Sequence, residues 1–287
     1  MTVNGQSANP GYTVATEGTA TPTLKWPTFD HLAIAVRRWE DVYQRFGGEL
    51  GGRWGIANPA GDFAPFQLGF GAGLRLEFIS PQAPDGFMQR FIERHGPAPH
   101  HITFKVPSLE ETLRDLVRLG FETFGGRPDY DAWRESFIHP RNSALGTLVQ
   151  VVEADVELIN REAPRHEPPA GFPTTTREAA EIAMIGVTSM DLARAQDLLG
   201  RALLGDVLEE GGGWFFVTWG RGRSIIVRDP SAAPGFPALW TGPRVPGVSF
   251  VLFGPPDLSV GSLREHTQSL RKLPDHETTG IDVWQLA

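Results

Sequence analysis

The sequence predicts an α+β fold of paired βαβββ modules, four of them in two domains, each pair forming a curved mixed sheet around a cleft. Three observations predict it. A strand, an amphipathic helix and further short strands occur at 29–79 and again at 100–152, a repeat of roughly 70 residues. The same order recurs, more faintly, over 182–286. Between the two halves lies a polar, proline-rich stretch at 160–176, NREAPRHEPPAGFPTTT, which reads as a linker.

Each element has its own justification. Residues 1–25 are rich in Thr, Gly, Pro and Ala without an apolar period, and are expected to form a disordered tail. A first domain is expected over 26–157. It opens with a strand at 29–36 (FDHLAIAV) and a helix at 39–46. Strands at 66–70 and 74–79 follow, with Gly71 and Gly73 between them in a hairpin-like position. The second module opens with HHITFKV at 100–106 and continues with a helix at 109–119. Leu109, Leu113, Leu116 and Val117 share one face of that helix, Ser108 and Glu111 make a capping box, and Gly120 suits the left-handed residue past its end. Strands at 136–139 and 147–152 complete the pair. After a linker at 158–178, a second domain over 179–287 repeats the order. It has strands at 182–189, 214–219, 223–228, 247–253 and 281–286, a helix at 192–204 and a poorer one near 263–273.

Composition narrows the function. The chain of 287 residues is 40% hydrophobic and 21% charged, ordinary for a globular protein. It has no cysteine, so any metal must be held by His, carboxylate or amide. A formal net charge of -8 without a Lys/Arg run argues against nucleic-acid binding. No apolar run approaches the ~20 residues of a membrane span, and the N-terminus lacks the pattern of a secretory signal. The expectation is a cytoplasmic protein acting on a small molecule, with homodimerisation possible.

Laying the first two modules on one another identifies the candidate site. His31 and His101 fall at equivalent places near the starts of their opening strands, and Glu77 and Gln150 at equivalent places in their last strands. Side chains on neighbouring strands converge when they share a face. Two imidazoles, a carboxylate and an amide suit one divalent ion: Zn, Co, Ni, Mn or Fe(II). His100, next to His101, is expected on the opposite face by strand alternation. His139, in an IHPRN turn, is either structural or at the mouth of the site. Arg141 beside it is either a solvated turn residue or a contact for an anionic substrate. Trp133, with Trp54, Phe63, Phe66 and Phe70, is either ordinary core or the wall of an apolar pocket. In the second half the equivalents of His31, Glu77, His101 and Gln150 fall at about Met184, Ile226, Gly247 and Trp284, and that half is expected to keep the fold without the metal.

The motifs FDHLAIAV, LEFISP, HHITFKV with its SLEETLRDLVRLGF helix, and FIHPRNSALGTLVQVVE resemble the vicinal oxygen chelate superfamily. This superfamily includes glyoxalase I, extradiol dioxygenases and bleomycin-resistance proteins, and over 29–153 the pattern most resembles methylmalonyl-CoA epimerase. The resemblance implies a glyoxalase-like fold with His31, Glu77, His101 and Gln150 as metal ligands. It further implies a metal-dependent isomerase, epimerase or lyase that chelates two substrate oxygens and moves a proton through an enolate-like intermediate, with Glu77 or a metal-bound hydroxide moving the proton. The epimerase's glutamate on the preceding strand is matched here by Gln67, an amide without a useful pKa, which argues against coenzyme A epimerisation and leaves Gln67 a substrate contact. Two alternatives stand. One is an Fe(II) extradiol-type dioxygenase built on two histidines and one carboxylate. The other is a non-catalytic small-molecule or antibiotic binder.

Overall fold

In the computed structural model the described residues are 26–57, 61–71, 73–127, 129–162, 167–232, 239–240 and 245–286. The tail expected over 1–25 lies outside them, as does part of the expected linker.

The first half forms one eight-stranded sheet. Its strands are β1 (Thr28–Ala35), β2 (Arg53–Ala57), β3 (Phe63–Gly69), β4 (Arg75–Pro81), β5 (Ala98–Lys105), β6 (Thr123–Phe124), β7 (Trp133–Ile138) and β8 (Leu148–Ala154). They are ordered β2-β3-β4-β1-β5-β8-β7-β6. The opening strands β1 and β5 lie antiparallel at the centre, and each has its module's last strand parallel beside it, β4 next to β1 and β8 next to β5. This is the βαβββ pair read from the repeat. The second half forms a seven-stranded sheet from β9 (Ile182–Thr188), β10 (Asp206–Gly211), β11 (Trp214–Thr218), β12 (Ser224–Arg228), β13 (Gly247–Phe253), β14 (Leu270–Leu273) and β15 (Asp282–Leu286). Its order, β10-β11-β12-β9-β13-β15-β14, has the same centre.

The helices are α1 (Glu40–Val42, running on as a π-helix over Tyr43–Glu49), α2 (Phe87–His95), α3 (Leu109–Arg118), α4 (Pro140–Ser143), α5 (Val156–Glu162), α6 (Leu192–Gln196, again with a π-helical continuation over Asp197–Ala202), α7 (Val260–Glu265) and α8 (His276–Thr279). The Ser108 hydroxyl caps α3 by accepting from the Glu111 amide at 3.3 Å, and Gly120 takes φ +77° just past its end, both as expected. No described helix is long and apolar enough to cross a membrane.

Three readings are corrected. The helix expected near 263–273 stops at Glu265, and Leu270–Leu273 instead pairs with β15 as an edge strand. Within the expected linker, α5 covers 156–162, and Phe172 packs edge-on against Tyr43 and Trp54, at 5.2 and 5.0 Å between ring centroids. β2, β6, β10 and α2 were not anticipated.

Alternation along the strands separates two faces. Leu32 and Ile34 point into a core that continues into the second half through Ile185, Val187 and Trp219. The Trp219 ring lies against Phe29 and Phe104, at 6.0 and 4.9 Å, and Arg223 donates to the Phe29 carbonyl. Gly73 lies so near Gly222 that an added Cβ would stand 2.7 Å from the Gly222 carbonyl oxygen. His31, Ala33 and Ala35 point to the other face. There α2 covers one end, with Met88 and Ile92 packed against Ala33, Ala35 and Ile79.

Candidate metal centre

Two β-bulges shape the site. Where β1 pairs with β5, Phe29 faces Phe104 and His31 faces Thr103, so Asp30 is an extra residue. Farther along, Ala33 faces His101 and Ile34 faces Pro99, so His100 is an extra residue on β5. A bulge re-aims the side chains on either side of it. Each bulged residue immediately precedes a histidine of the site, and each contacts that histidine's Nδ1.

At His31, Nδ1 donates to Asp30 Oδ2 at 2.8 Å. At His101, Nδ1 lies 2.9 Å from His100 Nδ1, so one of the two imidazoles donates to the other. Both histidines therefore turn Nε2 inward, towards Glu77. Glu77 Oε2 lies 3.8 Å from His31 Nε2 and 3.7 Å from His101 Nε2. One ligand atom from each of the three lies within 4.8 Å of the others. With bonds of about 2.1 Å, a tetrahedral ion needs its donors about 3.4 Å apart, close to the two separations from Glu77. The donor set fits a borderline divalent metal.

The two modules supply matching amide–carboxylate pairs around this triad. On one side Gln67, directly opposite Glu77 in the β3–β4 register, donates its amide to Glu77 Oε1 at 3.0 Å. On the other side Gln150 Nε2 donates to Glu135 Oε2 at 2.6 Å. Gln150 Oε1 accepts from the Thr103 hydroxyl at 2.6 Å. The same hydroxyl lies 2.9 Å from His31 Nε2, so a cation taking Nε2 would have to displace that contact.

Electrostatics favour the ligand forms. Burial holds His101 well below the usual histidine range, with the neighbouring His100 and His31 adding to it, so its imidazole is neutral and can bind a metal without losing a proton. Burial alone lowers His100 to about 4. At Asp30 burial acts upwards, but Arg75, the His31 hydrogen bond and Lys105 outweigh it and hold the carboxyl well below the usual carboxylate range. Asp30 is thus an ionised, buried anchor for His31, the arrangement by which carboxylates fix metal-binding imidazoles. Lys105, itself lowered by burial against the pull of Asp30, approaches Asp30 at 3.4 Å, and its ammonium lies 5.6 Å from the centre of the Trp133 ring.

The remaining site expectations fare unevenly. Trp133 is near, its indole donating to Glu135 Oε2 at 2.8 Å. Gln67 spends its amide on Glu77, so it positions a ligand where a substrate contact was expected. His139 is exposed; its Nδ1 accepts the Arg141 amide to cap α4, and its ring packs on Phe124. Arg141 is exposed on the same short helix. Among the described residues no hydrogen bond or ion pair joins His139 or Arg141 to His31, Glu77 or His101. His100 was expected on the opposite face; the bulge instead brings it against His101. Asp30, Thr103 and Glu135 were missed. Glu135 was legible two residues from Trp133 on one strand, hence on the same face. Asp30 was not, because alternation sends the neighbour of a strand residue away.

Residues 30–137 match the model of the Glyoxalase/Bleomycin resistance protein/Dioxygenase superfamily. The matched residues run from near the start of β1 into β7 of the first sheet. The match takes in Asp30, His31, Gln67, Glu77, His101 and Glu135 and ends before Gln150. Several solved structures resemble the chain. Methylmalonyl-CoA epimerase from Mycobacterium tuberculosis aligns with a TM-score of 0.42 at 20% identity, over 50% of this chain and 97% of its own. The Streptomyces coelicolor methylmalonyl-CoA epimerase in complex with 2-nitronate-propionyl-CoA aligns with a TM-score of 0.41 at 18% identity, over 46% and 99%. A hypothetical protein from Bacillus halodurans aligns with a TM-score of 0.41 at 24% identity, over 49% and 97%. No curated protein matches the chain significantly.

The register also locates the counterparts of the site in the second sheet. Gly186 takes the place of Ala33, facing Ile226 on one side and Phe250 on the other, as Ala33 faces Glu77 and His101. The counterparts are therefore Met184, Ile226, Phe250 and Trp284. The position expected at Gly247 moves to Phe250 because the second sheet repeats the bulge, with Ser249 in the place of His100. All four are buried together in one apolar cluster. A Cβ on Gly186 would stand 2.0 Å from the Phe250 ring, so glycine there makes room for the ring.

Proposed function

We propose that the chain is a divalent-metal-dependent enzyme that acts on a small oxygen-chelating substrate by enolate-type proton transfer, as an isomerase, epimerase or lyase. The observation carrying this is the His31–Glu77–His101 triad, its two histidines buried and its donor atoms within 4.8 Å of one another. His31, Glu77 and His101 would hold the ion, with Gln150 as a fourth donor. The ion would supply Lewis-acid polarisation of two substrate oxygens, which makes the adjacent C–H acidic. Asp30 and His100 keep the imidazoles aimed, and the Gln67 amide fixes one oxygen of Glu77 while the other faces the site. Glu77 is the carboxylate placed to take the proton. α2 packs over one end of the site face through Met88 and Ile92. A second reading, an Fe(II) dioxygenase, is favoured by the same two-histidine, one-carboxylate composition.

Metal analysis of gently purified protein separates the two. Zn, Co, Ni or Mn together with metal-dependent exchange of a substrate α-proton for solvent deuterium supports proton transfer. Iron with oxygen consumption supports the second reading. Protein that binds none of these ions stoichiometrically overturns both.

A further inference from the structure

Glu135 is a second carboxylate at the site and belongs to none of the roles assigned above. Its side chain is only 12% exposed. It stands on β7, diagonal to Gln150 on β8: the register pairs Phe137 with Gln150, and Glu135 is two residues back on the same face. Its Oε2 accepts from both the Gln150 amide at 2.6 Å and the Trp133 indole at 2.8 Å, while Arg127 approaches Oε1 at 3.6 Å.

We infer that Glu135 is a positioning residue that turns Gln150 into a competent metal donor. The inference rests on the metal-centred reading proposed above. A neutral amide is a weak ligand, and it can turn either its oxygen or its NH2 towards a cation. Glu135 settles the orientation. With the NH2 committed to a carboxylate, the amide oxygen faces Thr103, whose hydroxyl also contacts His31 Nε2, and turning the amide round would set its oxygen against the Glu135 carboxylate. A charge-assisted hydrogen bond to the NH2 also polarises the amide and adds electron density at its oxygen. Part of the negative charge of Glu135 is thereby passed to the site through Gln150, in the way that carboxylates behind metal-bound imidazoles raise ligand strength. Glu77 and Glu135 together then balance a +2 ion, one directly and one through an amide. Each module supplies one amide and one carboxylate with exchanged places: Gln67 behind Glu77, Glu135 behind Gln150.

The test is metal affinity of the full chain, with Co(II) as the probe, read by titration and by its visible absorption. Glu135→Gln should weaken Co(II) binding by about 10- to 100-fold, the usual effect of losing a group behind a ligand, and should change the absorption spectrum. Gln150→Ala should weaken it similarly, and the double variant should lose no more than the larger single loss, because both act through one donor. Pairing Glu135→Gln with Gln150→Glu, which exchanges the two groups, should restore affinity; a purely structural role for Glu135 would not be rescued this way. Unchanged affinity in Glu135→Gln overturns the inference, and additive losses do so too by making Glu135 an independent ligand. His31→Ala is the control. If it abolishes binding while Glu135→Gln does not, the inference fails and the metal centre stands; if the unaltered chain binds Co(II) but exchanges no proton, the proposed reaction fails and the inference stands.

Discussion

Replacing Asp30 with Asn tests the centre at its anchor, and the structure fixes what should happen. Asp30 works at two poles. Oδ2 accepts from His31 Nδ1, and Oδ1 accepts from Arg75 and faces Lys105. Both poles need an acceptor, and an asparagine offers only one. Two cations draw the amide oxygen towards Arg75 and Lys105, so the NH2 is left facing His31. Nδ1 must then accept, which moves the ring hydrogen to Nε2, the atom meant for the metal. Metal affinity should fall towards the upper end of the range for a lost supporting group, about 100-fold.

The same substitution has a cost without metal. A lost charge-assisted hydrogen bond is worth about 1.5–3 kcal/mol, and a buried pair deprived of one charge about 3–5 kcal/mol. Arg75, whose side chain is 30% exposed, recovers part of this from water, whereas Lys105, at 14%, recovers little. The expected loss is about 3 kcal/mol, which for an m-value near 3 kcal/mol/M lowers the urea midpoint by about 1 M. Unfolding with chelator present isolates this part, and Co(II) titration of the folded protein measures the other. An Asp30→Asn protein with affinity within about threefold of the parent and an unchanged midpoint would refute the two-pole argument.

Other consequences are as direct. His31→Ala and His101→Ala should each abolish stoichiometric metal while keeping the far-ultraviolet dichroism of the parent, and the second sheet should supply no replacement site; full metal content in both would refute the assignment. Glu77→Gln removes the one charged ligand of the triad and should weaken metal binding at least ~10-fold, with turnover lost beyond that even at saturating metal; native affinity and native turnover would place Glu77 outside the site. Unfolding without metal should depend on pH. The unfolded chain protonates His100 near pH 6.5 and the folded chain only near 4, so the unfolded state binds more protons between these values and stability falls as pH drops from about 6.5 to about 4. The fall is at most about 3 kcal/mol from His100, with His101 acting in the same direction, and His100→Asn should flatten it; a stability level across that window would contradict the burial of the pair.

The module repeat was legible because strand and helix periodicities are local, and the four candidate ligands were legible because a repeat aligns equivalent positions without knowledge of pairing. What escaped depends on pairing. Whether Asp30 and His100 turn towards their histidines is decided by which residues of β1 face which of β5, and alternation along a single strand sends both away. Likewise 270–273 carries leucines at a spacing a helix tolerates, but the open edge of β15 satisfies that backbone as a strand. α2 escapes the repeat for another reason: Phe87, Met88, Phe91 and Ile92 have helical spacing, but the segment lies between the modules.

The second half illuminates the first. It keeps both bulges, at Ala183 and Ser249, although no ligand follows either, so the bulges belong to the way the central strands cross and are not imposed by metal. A metal centre at His31 and His101 would then need only the right residues on a geometry the fold already provides: an acceptor at each bulge and a histidine after it. In the second sheet the same places hold Met184 and Phe250, and the cluster closes over them. Its contribution lies on the other face. The turn carrying Trp219 and Arg223 packs against Phe29 and Phe104 and holds the Phe29 carbonyl, one residue before Asp30. The second sheet thus braces the strand from which His31 projects, and it does so through a core shared by both halves, so loosening it should be felt at the metal before it is felt in the fold of the first sheet. Arg223→Met, which keeps the aliphatic stem and removes the donor, should reduce Co(II) affinity while leaving the dichroism of the chain intact; unchanged affinity would mean that the first sheet holds β1 in place unaided.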